Sequence, residues 1–367
     1  MTSGLDDVAT PALLVDQQRL DANLAGMAAL LASAGVAHRP HFKTSKCLEV
    51  ARRQLAHGAV GFTCATPAEV RLLLDAGVED VLWAHAPVGP TKVAFAVAAA
   101  ADGRLTVALD SAEVAEPLAA AASAAGVTVP YLLEVDTGLG RMGVAPEDAV
   151  AAVEKLAPYR SLVLRGVMTQ EGHVGAALGD REAQAEAGRA AGTAMVEAAE
   201  ALRAAGHDCP VVSVGSTPGA ASTPCVPGVT EARPGTYVYY DSNQVAVGAA
   251  ALADCALTVL TRVVSTQRGD RVIVDAGLKA MSNDPAAAGG GLGTVCNAVL
   301  APLPGVVFAY AHEEHGFLTG PGTAGLAVGD LLRIVPNHAC GTTNMFSAVH
   351  VVDDGAVVDQ WPIEARH

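Results

Sequence analysis

Short apolar runs alternate with alanine-rich stretches of helical period through the first two thirds of the chain. The runs at 36–42, 59–63, 80–84, 104–109, 130–136, 162–169, 210–214 and 235–240 predict strands. Between them, 67–76, 111–125, 146–156 and 181–205 repeat apolar residues every three to four positions and predict helices. Gly35, Gly58, Gly77, Gly126 and Gly206 stand where helices should close, because glycine accepts the left-handed conformation of a helix end. Eight strands alternating with helices over about 220 residues predict an α/β fold, a (β/α)8 TIM barrel. Periodicity cannot show closure, so an open doubly wound sheet is the alternative.

The pattern changes after residue 241. Segments 257–265, 270–275, 306–310, 331–335, 348–352 and 356–360 predict strands joined by turns, with few helices. A further strand is expected at 10–15, and the Ala- and Gly-rich stretch 284–293 reads as a flexible loop. The expected organisation is a barrel over 16–245 and a mostly-β domain from 1–15 and 246–367. No internal repeat is visible.

Composition narrows the class. With 51% hydrophobic but only 4% aromatic residues, the core must be built from Ala, Val and Leu. The 367 residues give room for two domains. A net charge of −15 argues against nucleic-acid or anionic-membrane partners, so an anionic ligand must be held by local groups. Seven scattered cysteines without a CxxC pair suit a reducing, cytoplasmic compartment. The first residues lack the basic and apolar regions of a signal peptide, and no run reaches the ~18 apolar residues of a membrane span.

The densest chemistry lies in Arg39-Pro40-His41-Phe42-Lys43-Thr44-Ser45-Lys46, where Lys43 is expected to end the first strand. A lysine among like charges presents a neutral amine to an aldehyde more readily; the plainer reading is a basic surface turn. On a barrel, polar residues after strand ends collect on the face that carries chemistry. Asp136-Thr137-Gly138-Leu139-Gly140-Arg141 follows the fifth strand, and Gln170-Glu171-Gly172-His173 the sixth. Arg141 is a candidate for a place near a cofactor ring, and Glu171 and His173 for acid–base work. Gly215-Ser216-Thr217-Pro218-Gly219 follows the seventh strand, offering unhindered N–H groups and two hydroxyls to a phosphate, and Tyr240-Asp241 ends the eighth. Glu313-Glu314-His315-Gly316 could close over the site, or be an exposed acidic turn. His338 and Cys340, spaced i,i+2 at the end of an apolar run, would point to one side of a strand, and imidazole with thiolate suits zinc.

Taken in order, these segments resemble the fold-type III pyridoxal-phosphate family that unites D-threonine aldolases with zinc-dependent D-serine dehydratases and is distantly related to alanine racemase. The markers are RPHxKTxK at 39–46, VDTGxxRxGV at 135–144, VGSTPG at 214–219, ExRPGxYxxxD at 231–241, VxxDAGLKAxSxD at 272–284, EEHG at 313–316 and PxHxC at 336–340. The resemblance implies that Lys43 carries the cofactor as a Schiff base and exchanges protons with substrate. It implies that Arg141 lies beside the pyridoxal ring, and that Gly215, Ser216 and Thr217, with Tyr240, hold the phosphate. His338 and Cys340 would bind a divalent metal, zinc foremost with manganese or magnesium as alternatives, that grips the substrate's β-hydroxyl. It also implies a barrel followed by a β domain and a homodimer acting on a small amino-acid substrate.

Two reactions suit that set: β-elimination of a β-hydroxy-D-amino acid to a 2-oxo acid and ammonia, or retro-aldol cleavage to glycine and an aldehyde. Cys340 resembles the dehydratase branch, since aldolases typically carry aspartate there, and the GSTPG loop points the same way. Gln170 departs from both branches. A metal-independent racemase and a non-enzymatic pyridoxal-phosphate carrier are the remaining alternatives; the latter lacks a β domain.

Overall fold

The computed structural model describes residues 3–366. They form two compact units, one comprising 26–43 and 50–235, the other 3–25, 44–49 and 236–366.

The first unit is a closed parallel barrel. Its strands, in ring order, are Ala37–His38, Phe62–Cys64, Val81–Trp83, Leu105–Leu109, Val129–Glu134, Leu162–Met168, Val211–Val214 and Glu231–Ala232. All paired neighbours are parallel. The ring closes between the first and second strands, where Val60 N donates to His38 O and Thr63 N to Pro40 O, each at 2.9 Å. That closure excludes the open sheet.

Helices run Pro67–Asp75, Pro90–Ala100, Ala112–Ala125, Ala149–Leu156 and Arg181–Ala204. The first begins where local chemistry demands. Thr66 accepts from Glu69 N, Pro67 fills a position needing no N–H, and Glu69 accepts from Ala65 N at 2.7 Å. The five glycines expected to close helices all have φ between 67° and 88°, so each ends its element.

Two boundaries differ from expectation. The eighth strand is Glu231–Ala232, while 235–240 turns through a 3-10 segment, Thr236–Val238, because Pro234 has no N–H with which to continue the ladder. The first strand stops at His38, and Lys43 lies beyond it in the 3-10 turn Phe42–Thr44.

Leu82, Ala108, Leu132 and Met168 pack together inside the barrel. Beside them runs a line of buried polar groups. Arg39 donates from Nε to Glu231 at 2.9 Å and from Nη2 to Asp80 at 2.7 Å. Ser213 Oγ donates to the other oxygen of Glu231 and accepts from Arg233 Nε, both at 2.7 Å. Arg233 also donates to the Thr169 carbonyl. A cavity of about 540 Å³ lined by Arg39, Asp80, Thr106, Arg165 and Glu231 opens at the strand starts, the end opposite Lys43.

In the second unit, Ala12–Asp16 lies between Ala348–Asp353, parallel, and Leu257–Arg268, antiparallel. Arg271–Val274, Val307–Ala311, Leu331–Pro336 and Ala356–Pro362 complete the expected strands. Two more, Gly293–Asn297 and Gly316–Thr319, begin at glycines that obscure the apolar pattern. At Gly316 a side chain would meet the Ala276 carbonyl at 2.4 Å, so close backbone approach requires glycine there. Among the described residues no helix is long and apolar enough to cross a membrane.

Removing one partner from a buried ion pair strands the other charge. Arg39→Ala should therefore cost about 3–5 kcal/mol of stability by urea unfolding; a loss below about 1 kcal/mol would mean that Glu231 finds another partner.

Candidate functional site

Lys43 is half-buried, and its backbone N–H donates to His41 Nδ1 at 3.4 Å. Burial, with Lys43, Arg233 and Arg141 nearby, pushes the His41 imidazole well below its usual pKa, so it is neutral and can accept that bond. The cations gathered around His41 are thus Lys43, Arg233 and Arg141. Those expected from the sequence are elsewhere. Arg39 is sealed by Glu231 and Asp80, and Lys46 Nζ donates to the Ala365 carbonyl at 3.1 Å in the β unit. The strand ends before residue 43, so strand alternation does not govern where this segment's side chains go. Arg233 escaped the sequence reading; its place just after a strand, before Pro-Gly, was the available signal.

The loop after the fifth strand is shaped by Asp136, whose carboxylate accepts from the amides of Gly138 and Gly140 at 2.9 Å. The Gly138 amide foremost holds its pKa low. Gly138 has φ 129°, and a side chain there would come within 3.2 Å of His173 Nε2, so glycine lets the imidazole lie against the loop. His173 Nδ1 is buried without a hydrogen-bond partner among the described residues. Arg141 is half exposed and lies 3.7 Å from Glu134. Burial pushes the Glu134 carboxyl up, opposed by Arg141 and Arg233.

The glycine-serine-threonine loop departs from its expected use. The Gly215 amide, expected to face a phosphate, donates to Glu171 Oε2 at 2.8 Å. Glu171 is buried, which pushes its pKa up against the pull of that amide and Arg233. It is committed to bracing the loop rather than open to acid–base work. Ser216 Oγ accepts from Gly219 N at 2.9 Å, and Thr217 is buried beside it. Thr223 Oγ1 is buried with no hydrogen-bond partner among the described residues, and a side chain at Gly219 would meet the Ser216 and Thr223 hydroxyls at 2.8 Å. A hydroxyl-lined hollow with an orphan donor, and a cationic cluster with a primary amine, fit the phosphate and aldehyde of pyridoxal phosphate. Thr223 carried no signal in sequence.

Tyr240, expected at the phosphate, belongs to the β unit and packs against Cys255, Cys296 and Val335. Burial, helped by Asp254 and Cys255, pushes its phenol up to about 12.

In the β unit, His338 and Cys340 come together by a route other than strand alternation. The strand ends at Pro336, and His338 is the extended N-cap of the short helix Ala339–Thr343, so its side chain meets that of Cys340 at the helix start. His338 Nδ1 is 3.2 Å from Asp241 Oδ2. Burial lowers the imidazole pKa, but hydrogen bonds to Asp241 and Cys340 outweigh it and raise it to about 11. Asp241 is fully buried and also accepts from Ala339 N at 3.0 Å and Gln244 N at 2.8 Å. Thr44 Oγ1 is 3.1 Å from Cys340 Sγ. Among the described residues no His, Cys, Asp or Glu joins the pair as a third metal donor. An imidazole oriented by a carboxylate beside a sulfur fits a divalent metal whose other positions are left to water or substrate. The 313–316 segment is the turn before Gly316–Thr319, with Glu314 paired to Lys279 at 2.7 Å.

Comparison with known proteins agrees with both halves. The alanine racemase N-terminal domain family matches residues 15–243, and the serine dehydratase domain family residues 256–352. A D-threo-3-hydroxyaspartate dehydratase of Delftia sp. HT23 is 37% identical, with 96% of each chain covered. Its solved structure superposes with a TM-score of 0.92 over 98% of each chain, and a cysteine-to-alanine variant of it has been solved in a metal-free form. A D-threonine aldolase of Arthrobacter sp. is 34% identical over 98% of this chain and 93% of its own. The chain therefore belongs to the alanine racemase-like fold-type III family of pyridoxal-phosphate enzymes, in the branch that joins the barrel to a serine dehydratase domain.

Proposed function

We propose that this protein is a pyridoxal-phosphate- and divalent-metal-dependent lyase that eliminates water from a β-hydroxy-D-amino acid, giving a 2-oxo acid and ammonia. The observation that carries the reading is the pairing of His338 with Cys340, held by Asp241 and Thr44. The 37% identity to a D-threo-3-hydroxyaspartate dehydratase supports it. The proposed division is a cofactor barrel over 16–245 and a metal-bearing domain from 1–15 and 246–367.

Pyridoxal phosphate, when bound, withdraws electrons from the bonds of the substrate's Cα, and a divalent metal, zinc foremost, polarises the β-hydroxyl. The chain's residues supply the rest. Lys43 would hold the cofactor, and its amine would take the Cα proton. Arg141 and Arg233 present positive charge to the cofactor, while neutral His41 adds none. Ser216, Thr217 and Thr223 offer hydroxyls to the phosphate, and His173 is placed to move a proton at the loop of Gly138. Tyr240 takes no part in holding the phosphate in this reading.

Elimination needs one base, at Cα, and Lys43 is that base. Retro-aldol cleavage instead needs its base at the β-hydroxyl and a proton returned to Cα; among the described residues no further His, Cys, Asp or Glu joins the metal pair as a donor, and Asp241 is committed to His338 and two amides. The second reading is nonetheless retro-aldol cleavage, because a D-threonine aldolase is almost as similar. The proposal includes a homodimer and a cytoplasmic setting, the latter supported by the absence of any disulfide among the described residues.

Incubating the loaded protein with D-threonine should yield 2-oxobutanoate and ammonia; glycine and acetaldehyde would replace elimination by retro-aldol cleavage. Lys43→Ala should lose the borohydride-reducible bond to pyridoxal phosphate, and a retained reducible chromophore would move that bond to another lysine. Cys340→Ser should lower bound metal and turnover together by about 10-fold or more. Unchanged metal content would remove Cys340 from the site.

A further inference from the structure

Asp241 and Thr44 each touch one member of the His338–Cys340 pair. Resting on the metal-dependent reading above, we propose that they are positioning residues forming the outer shell of the metal centre: Asp241 sets which imidazole nitrogen is offered, and Thr44 sets the donor strength of the sulfur.

The Asp241 side chain has no exposed surface, and its contacts account for both oxygens. Oδ1 accepts from Gln244 N at 2.8 Å, and Oδ2 from Ala339 N at 3.0 Å, with His338 Nδ1 at 3.2 Å. A carboxylate can only accept, so Nδ1 must carry the proton, leaving Nε2 as the lone-pair nitrogen when the imidazole is neutral. The Ala339 amide bond fixes Asp241 to the residue between the two ligands. Asp241 therefore locks both the tautomer and the ring position.

Thr44 is fully buried, with Oγ1 3.1 Å from Cys340 Sγ. Sulfur bound to a metal is a thiolate without a proton, so the hydroxyl must be the donor. A hydrogen bond into a thiolate withdraws charge from it and weakens its donation to the metal. Thr44 directly follows Lys43 in the chain, so one short segment carries both the Schiff-base lysine and the donor to the sulfur.

The test uses the full chain carrying pyridoxal phosphate, stripped of metal and titrated with cobalt(II) against a chromophoric chelator. Asp241→Asn keeps a helix-capping oxygen but loses the second acceptor. It should weaken cobalt binding about 10–100-fold. Thr44→Val removes the hydroxyl at constant shape and should move the sulfur-to-cobalt charge-transfer band to lower energy, while Thr44→Ser should keep it in place. Thermal melting of the metal-free variants separates loss of fold from loss of ligand orientation. If Asp241→Asn does not fold, the Thr44 pair decides. A band that ignores Thr44→Val, or unchanged affinity in a folded Asp241→Asn, overturns the inference alone. Absence of any sulfur-to-cobalt band in the unaltered protein overturns the metal-dependent reading and the inference with it.

Discussion

The ion pair of Arg39 with Glu231 is the interaction on which the barrel and its chemistry both depend. Glu231 is on the last strand, and Arg39 follows the first, its neighbour in the ring. Two charges buried together hold only if each oxygen and N–H is satisfied. Here Asp80 takes the other end of the guanidinium, and Ser213 occupies the other oxygen of Glu231. Ser213 in turn receives Arg233, so the geometry at the closing seam passes along hydrogen bonds to a cation beside His41 and Lys43.

That arrangement explains how a strongly acidic protein can hold an anion. The overall field repels phosphate, but Lys43, Arg141 and Arg233 gather round a histidine kept neutral by burial and by their own charge. Carboxylates are partitioned with similar economy. Glu171 braces the glycine-serine-threonine loop, Asp136 shapes the loop beneath His173, and Asp241 orients His338. Each is consumed by backbone amides or a single side chain.

Much of the fold was legible along the chain. Strand and helix periods placed seven of the eight barrel strands near their observed positions, and the closing glycines fell where helices end. The eighth was misplaced because the apolar run 235–240 outweighed Pro234, whose missing N–H stops the ladder. Lys43 and Arg141 stood out because their residue types are conspicuous in loops. Arg39 was expected among the cations beside Lys43 but is engaged by Glu231 and Asp80, whereas Arg233 was not singled out. Each directly follows a two-residue strand in the same register, so only their long-range partners, Glu231 and Asp80 for Arg39 and Ser213 and Thr169 for Arg233, tell them apart. His338 and Cys340 were singled out from their spacing on an expected strand, whereas the strand ends at Pro336 and His338 is the extended N-cap of a short helix that contains Cys340.

By itself the sequence determined the alternation of elements, the family, and the kinds of side chain available for chemistry, because period, capping and motif spacing act over a few residues. Tertiary structure decided closure, which cations meet, the commitment of the Gly215 amide to Glu171, and the meeting of His338 with Asp241. Those depend on partners 192 positions apart for Arg39 and Glu231, 97 for Asp241 and His338, and 296 for Thr44 and Cys340. Contacts of that span follow from the closed path of the chain, and no local pattern encodes them.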